Sequence, residues 1–348
     1  MKTIIDFRVE EKFSPSVSAF LEQLWMDLAS AQPERPFVFL TEEGAPGGFP
    51  PPVTVKTIKK SSFGWLDRKR LLTLLEEENA ALYVGFSGGI INVFALQGAA
   101  SYKKDLQQTP LRIVFSGAEL LRLPAQAAGT VQYIQPALPG VITAAELTWT
   151  DTESIRTQHT GGREYFLFTG DIDAPHQLIE LLKAFSLFKK RQQSNMQLVI
   201  AGPVTDWTDV FEEKLATYKY RADVVLIKDP NWQETLRLAA AAYAMVYPAL
   251  SDTLPLAVLL AHQAGTAVIA SDIPATRELT TAAEWADNTR PEESFAQAMM
   301  LLYKDENHKQ QLLQKAAAQA HRFSREQMLE AIGKILEISF PYQLPLKQ

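Results

Sequence analysis

Between residues 165 and 270, short apolar runs alternate with amphipathic segments, and few architectures accommodate that rhythm. The runs at 165–169, 196–201, 224–227, 244–247 and 267–270 are too short for helices and too continuously apolar for a sheet with one wet face. The segments between them, 175–190, 209–218, 232–242 and 256–264, space their apolar residues as helices do. Strands joined by helices run parallel, because a parallel pair needs a long crossover and the helices then cover both faces. The expectation is a doubly wound domain, in which ligands bind at the carboxyl ends of the strands. The loops after Thr169, Ala201, Ile227 and Tyr247 are thus the places to look for chemistry. Helices over 291–304, 306–322 and 325–338 follow.

The first half repeats the alternation less regularly, with candidate strands at 3–7, 37–40, 53–58, 81–86, 111–115 and 131–134. A helix over 14–31 places Val17, Phe20, Leu21, Leu24 and Leu28 on one face behind a Ser-Pro start, and 65–78 is a second helix. The Gly/Pro-rich stretch 44–52 has no ladder or helix potential. A polar, aperiodic stretch over 148–164 reads as a linker. These features predict a domain over 1–150, a second over 163–324, and a helix and tail over 325–348 that return to the first domain.

Composition narrows the partners. The chain has 348 residues, 47% of them hydrophobic, enough for two ordinary domains. A net charge of -6 argues against nucleic acid as a partner. The absence of cysteine excludes disulfides, thiolate metal sites and a cysteine nucleophile. No run approaches the roughly 18 apolar residues of a membrane helix, and the expected location is cytoplasmic, with peripheral membrane contact. The scattered histidines predict no metal site and no separate cofactor.

Several runs of the second half occur together in one order. They are Phe166-Leu-Phe-Thr-Gly170 with the helix at 178–185, Gln197-Leu-Val-Ile-Ala-Gly-Pro203, the run 240–249 ending Tyr247-Pro-Ala249, the run 265–278, and Arg322-Phe-Ser324. In this register the second half resembles the donor-binding domain of family-4 (group 1) glycosyltransferases. The resemblance implies a GT-B fold, α/β, with two Rossmann-like doubly wound domains facing a cleft. It also implies retaining transfer of a sugar from a nucleotide-sugar such as a UDP- or GDP-sugar to an unknown acceptor, without a metal. On that frame Asp252 stands at the carboxylate position near the sugar, as the catalytic candidate. Gly170, His176, Gly202, Asp229, Thr253, Leu254, Pro255, Leu256 and Leu260 stand at donor-binding positions.

The chain departs from the family pattern at these positions. Asp171 replaces an arginine, His176 a lysine and Gln177 a glycine; Leu260 replaces the glutamate that grips the ribose, and Pro255 replaces a glycine. All five histidines lie beyond Thr148, so the histidine that family members carry in the first half is missing. A carboxylate in place of a guanidinium beside a desolvated pyrophosphate exchanges attraction for repulsion, a swing of roughly several kcal/mol. Two alternatives therefore stand beside the transferase: a non-catalytic relative acting as a binding or partner protein, and a site for another, less anionic ligand.

Other features have plainer readings. The run 85–90 reads as a turn after a strand and 116–119 as a helix cap. His262 reads as a packing residue, and Asp229-Pro-Asn-Trp232 either flanks a base or caps a helix through Asn231. Lys56, Lys59, Lys60, Arg68, Lys69 and Arg70, with Phe63 and Trp65 among them, form a basic and aromatic cluster. It is either a solvated face or a contact with an anionic membrane or lipid acceptor.

Overall fold

In the computed structural model the alternation becomes two sheets, each in its own unit. The structure describes residues 2–8, 14–42, 49, 53–58, 64–87, 89–121, 123, 131–138 and 147–339. One unit contains the described residues before 139, apart from 14–16, together with 325–339; the other contains 14–16 and 147–324.

In the first unit the strands are β1 (Lys2–Asp6), β2 (Phe37–Glu42), β3 (Thr54–Ile58), β4 (Ala80–Ser87), β5 (Ile90–Ala95), β6 (Leu111–Val114) and β7 (Val131–Tyr133). The helices between them are α1 (Pro15–Ala31), α2 (Gly64–Glu77), α3 (Tyr102–Asp105) and α4 (Gly117–Leu121). The sheet order is β3-β2-β1-β4-β5-β6-β7. Ile4, Val38, Leu40 and Ile58 from the strands pack with Leu75 of α2 and Tyr102 of α3. α1 buries Val17, Phe20, Leu21, Leu24 and Leu28, the stripe read from the sequence, together with Trp25.

β5 corrects the expected all-parallel sheet. It pairs antiparallel with both β4 and β6, and Ser87 stands opposite Ile90 across a tight hairpin. Residues 85–87, 89 and 90 are thus strand ends and turn, as read. Ser116 is a cap, as read: its hydroxyl accepts the Glu119 N–H at 3.1 Å, while Glu119 accepts the Phe115 N–H at 2.7 Å.

The second unit opens with α5 (Trp149–Thr160) and continues β8 (Tyr165–Thr169), α6 (Leu178–Gln192), β9 (Gln197–Gly202), α7 (Thr208–Ala216), β10 (Val224–Lys228), α8 (Trp232–Ala241), β11 (Ala244–Tyr247), α9 (Leu256–Gln263), β12 (Val268–Ser271), α10 (Pro274–Leu279), β13 (Ala283–Ala286), α11 (Pro291–Lys304) and α12 (Glu306–Gln319). Its six strands are all parallel, in the order β10-β9-β8-β11-β12-β13. This is the doubly wound order whose direction reverses beside the first strand, here between β8 and β11. The stretch expected as a linker is the helix α5, whose Thr148 and Asp151 form a reciprocal capping box. The chain also adds a sixth strand, β13, that the apolar runs did not reveal.

β8 is buried along its length, and Phe166 meets Phe188 of α6 edge-on at 5.2 Å between centroids. α6 presents Leu178, Leu181, Leu182, Phe185 and Phe188 to the sheet, each side chain stabilising by about 1.5–3 kcal/mol through burial.

The last helix, α13 (Arg325–Ile338), belongs to the first unit. Arg325 donates to Asp27 at 2.8 Å, the Ala137 N–H meets Met328 Sδ at 3.2 Å, and Met328, Leu329, Ile332 and Leu336 are buried. Among the described residues, no helix is long and apolar enough to cross a membrane. Lys59, Lys60, Phe63, residues 10–13, the tail from Phe340, and the loop 44–52 apart from Phe49 lie outside the described residues.

Candidate functional site

In the second unit, β8 and β9 end side by side, and two glycines make that possible. A Cβ on Gly202 would lie 1.9 Å from the Gly170 carbonyl oxygen, while Gly170 itself has φ 139°. The chain can therefore turn sharply after β8 and deliver the loop 171–177 over the strand ends.

That loop carries the titratable groups. Asp171, 2% exposed, accepts the Ser16 N–H at 3.0 Å and the Ser16 hydroxyl at 2.6 Å, Ser14–Ser16 being part of this unit. Asp173 accepts the backbone N–H of His176 at 3.2 Å and lies 2.6 Å from its ring Nδ1. On the other side, His176 Nε2 lies 3.1 Å from the hydroxyl of Tyr247, the last residue of β11. The Tyr247 hydroxyl in turn donates to Asp252 Oδ2, and the Leu254 N–H donates to Asp252 Oδ1 at 3.0 Å. Four side chains thus form one hydrogen-bonded chain: Asp173, His176, Tyr247, Asp252.

Counting protons along it fixes the state of the histidine. Tyr247 has one hydroxyl proton, which goes to Asp252, so its oxygen can only accept from His176 Nε2. The Asp173 carboxylate also only accepts, so Nδ1 donates as well. With both carboxylates ionised, the arrangement is the one an imidazolium satisfies, each ring nitrogen facing an acceptor. Burial opposes that charge, but hydrogen bonding and attraction from Asp173, with further attraction from Asp252 and Asp171, hold its pKa above the ordinary value. Tyr247, fully buried beside the same carboxylates, is pushed well above its usual range, first by desolvation and then by Asp252. The Phe168 ring closes one side, with its centroid 5.6 Å from the imidazole and 6.3 Å from the tyrosine ring.

A neutral network holds the neighbouring loop. Gln177, at φ 49°, donates from Nε2 to the Pro248 carbonyl at 2.9 Å and to Asn288 Oδ1 at 3.3 Å. Asn288 Oδ1 also accepts from Ser271 at 3.0 Å, and its Nδ2 lies 3.4 Å from the Ala249 carbonyl. The backbone before Asp252 is thereby pinned from two other strand ends. Gln177 further lines a pocket of about 540 Å³ with Ala174, Glu180, Leu250 and Arg290.

The positions singled out in the sequence divide three ways. Gly170, Gly202, His176, Asp252 and Leu254 share in the strand-end site, and half-buried Thr253 lies in its loop. Pro255 stands at the start of α9 with no side-chain cap, and Leu256 and Leu260 are buried at 8% and 1% exposure. Leu260 is a core residue and offers nothing to a ribose. Asp229 lies outside the hydrogen-bonded chain: at φ 49° its Oδ1 accepts the Val204 N–H at 2.9 Å, tying the loop after β10 to that after β9. Asn231 caps α8 by accepting the Glu234 N–H at 2.9 Å.

Tyr247, Asp173, Asn288 and Ser271 were not legible as site residues. Tyr247 had one available signal, a hydroxyl ending an otherwise apolar strand.

His262, on α9, is outside the hydrogen-bonded chain. Its ring lies 6.3 Å from Phe323, neither ring nitrogen has a partner, and burial together with the Arg322 charge lowers its pKa to about 4. In the first unit, Lys56 pairs with Glu78 at 3.1 Å and Arg70 with Asp67 at 3.8 Å. Arg68 and Lys69 are exposed on α2 beside Trp65, which is 66% exposed. Among the described residues, no group of three or more His, Cys, Asp or Glu side chains is placed to hold a metal ion.

Comparison with known proteins gives this geometry a setting. Residues 150–319 match the family of glycosyl transferases group 1. The O-antigen chain mannosyltransferase RfbU of Salmonella typhimurium is 27% identical over 135 residues, covering 39% of this chain and 37% of that protein. This chain therefore matches little more than a third of the length of that curated relative. The crystal structure of WaaG, a glycosyltransferase involved in lipopolysaccharide biosynthesis, superposes with a TM-score of 0.75 at 13% identity, over 96% of this chain and 99% of that one. Anabaena HepE in complex with UDP-glucose gives 0.74 at 13% identity, over 97% and 100%. The chain has the GT-B fold of these glycosyltransferases, two Rossmann-like α/β units, and over residues 150–319 it resembles the group 1 glycosyl transferases in sequence as well.

Proposed function

We propose that the protein is a glycosyltransferase of group 1 type that binds a nucleotide-sugar at the strand ends of its second unit. The observation that carries the reading is Asp252. Its carboxylate is fixed by the Tyr247 hydroxyl and the Leu254 N–H, and it stands at the position the resemblance assigns to the transferring sugar. Transfer breaks the bond between the anomeric carbon and the leaving phosphate oxygen and forms one to an acceptor hydroxyl oxygen, whose proton passes to the leaving diphosphate. The carbon passes through an oxocarbenium-like state, and a fixed carboxylate stabilises that charge while accepting hydrogen bonds from sugar hydroxyls. Of the backbone from Thr253 to Leu256, which the resemblance assigns to the pyrophosphate, Leu254 N–H is taken by Asp252, Leu256 N–H by the Leu254 carbonyl, and Pro255 has none, which leaves the Thr253 N–H as the donor. The HepE complex with UDP-glucose on the same fold supports a UDP-sugar as the first donor to test. Trp65 exposed beside Arg68 and Lys69 supports an anionic membrane or lipid acceptor at the first unit.

The charges at the site favour a second reading. Asp171, Asp173 and Asp252 surround one cation, His176, whose two N–H groups are spent on Asp173 and Tyr247. Among the described side chains of this hydrogen-bonded chain none offers a dianionic pyrophosphate a free cation, and exposed Arg290, at the pocket beside Gln177, pairs with Glu293 at 3.5 Å. A less anionic ligand, or no ligand and a partner protein instead, fits that balance.

Thermal unfolding with UDP, GDP, ADP, UDP-glucose and GDP-mannose separates these readings. The transferase reading expects one nucleotide family to stabilise the protein, by about 2.7 kcal/mol at a hundredfold over its Kd. Stabilisation by free sugars alone favours the less anionic ligand. Indifference to both classes contradicts the transferase and favours the partner protein.

A further inference from the structure

We propose that Asp173, His176 and Tyr247 are positioning residues for Asp252, forming a proton-filled support that replaces the family's free cation and leaves the spare lone pairs of Asp252 to accept ligand hydroxyl groups. The proposal rests on the preceding reading for the identity of the ligand, but the state of the support is a property of the free protein.

The chain of donors runs one way. His176 Nδ1–H donates to Asp173 at 2.6 Å and Nε2–H donates to the Tyr247 oxygen at 3.1 Å. Tyr247 then donates to Asp252 Oδ2, while Oδ1 takes the Leu254 N–H at 3.0 Å. Each link fixes the next. If Nε2 loses its proton, it becomes an acceptor facing the Tyr247 oxygen. The single hydroxyl proton must then choose between His176 and Asp252, and Asp252 loses a donor whenever it turns away. A carboxylate oxygen accepts two or more hydrogen bonds, so an Asp252 held by one donor on each oxygen still offers acceptor positions.

The surroundings give the support little room to do anything else. His176 is 8% exposed and Tyr247 2% exposed. The titratable groups facing the imidazole are Asp171 and Asp173 from its own loop, Tyr247 from β11 and Asp252 from the loop beyond; Phe168 of β8 supplies the remaining wall. No N–H of His176 is left for a phosphate. The residue at the family's lysine position has become an internal counter-ion, and it acts on a ligand only through Tyr247 and Asp252.

Two measurements on the full chain test this. The first is the imidazole nitrogen-15 spectrum of the ligand-free protein, assigned by comparison with His176→Gln. His176 should show two protonated nitrogens at pH 7 and a midpoint above the ordinary histidine value, and Asp173→Asn should move that midpoint down. A neutral His176 at pH 7, or a midpoint unmoved by Asp173→Asn, overturns the proposal without a ligand being used.

The second is UDP-glucose affinity by calorimetry from pH 6 to 9. It should weaken several-fold as pH rises through the His176 midpoint, and Asp173→Asn should shift that fall to lower pH. Tyr247→Phe, which keeps the ring and removes the relay, should bind weakly and lose the pH dependence. Binding that stays flat through the midpoint, or a Tyr247→Phe variant that keeps the wild-type pH profile, contradicts the proposal. Failure of wild type to bind any nucleotide or nucleotide-sugar of the thermal-unfolding panel at any pH refutes its hydroxyl-accepting half together with the transferase reading, whereas the nitrogen-15 result stands apart from it.

Discussion

His176 and His262 occupy the same unit and respond oppositely to burial. Asp173 and Tyr247 supply His176 with two hydrogen-bond partners, and its pKa is raised. His262 has no partner at either nitrogen and lies beside Arg322, so its neutral form is kept down to about pH 4. The consequences for stability have opposite signs. The contribution of His176 is complete below the unfolded histidine pKa of about 6.5 and is lost as pH rises through its raised native midpoint. That of His262 is present above about 6.5 and is lost as pH falls toward 4. Between those limits, protonation of the unfolded His262 costs the native state about 3 kcal/mol. Urea unfolding of wild type and His262→Leu at pH 7, 5.5 and 4 should show the variant losing that much less on acidification; parallel losses would contradict the assignment. The resemblance singled out His176 and Asp252, and both lie in loops that follow strands. It could not show Tyr247 between them or Asn288 behind Gln177, since those partners come from β11 and the end of β13, 71 and 111 residues away.

At the scale of elements, the strong periodicities were legible and the weak ones were not. β8 to β12 and the helices between them stand close to where the apolar runs place them, because β8, β9, β11 and β12 are buried on both faces and the edge strand β10 is still half-buried over Val224 to Ile227. α5 was hidden because only Ile155 and Thr160 of its twelve residues are buried, leaving no stripe to count. Its start is written in Thr148 and Asp151, a cap that precedes a polar helix. Replacing Thr148 with alanine removes an exposed capping box and should cost about 1 kcal/mol in urea unfolding. An unchanged midpoint would mean that packing of α5 on α8, not the cap, holds the helix. β5 escaped for a different reason: a hairpin follows β4 directly, so no helix announces the next strand. β13 has only four residues.

At the scale of the molecule, the polypeptide builds one sheet, then the other, and returns through α13 to the first unit. The second unit is a six-stranded parallel sheet with its titratable chain at the carboxyl ends beside the switch between β8 and β11, where doubly wound folds bind ligands. Four of the residues that the resemblance reads as departures are each accounted for by contacts within the fold. Asp171 is bound to Ser16, His176 to Asp173 and Tyr247, Gln177 to Asn288, and Leu260 to the core. Each of these four side chains is held by the fold, and under the proposed function Asp252 is the carboxylate left to meet a ligand. Calorimetric titration of UDP-glucose into wild type and Asp252→Ala tests that claim most directly. The account predicts saturable binding to wild type, weakened at least about tenfold in the variant by loss of a charge-assisted contact of about 1.5–3 kcal/mol. Equal affinity in the two proteins would contradict it.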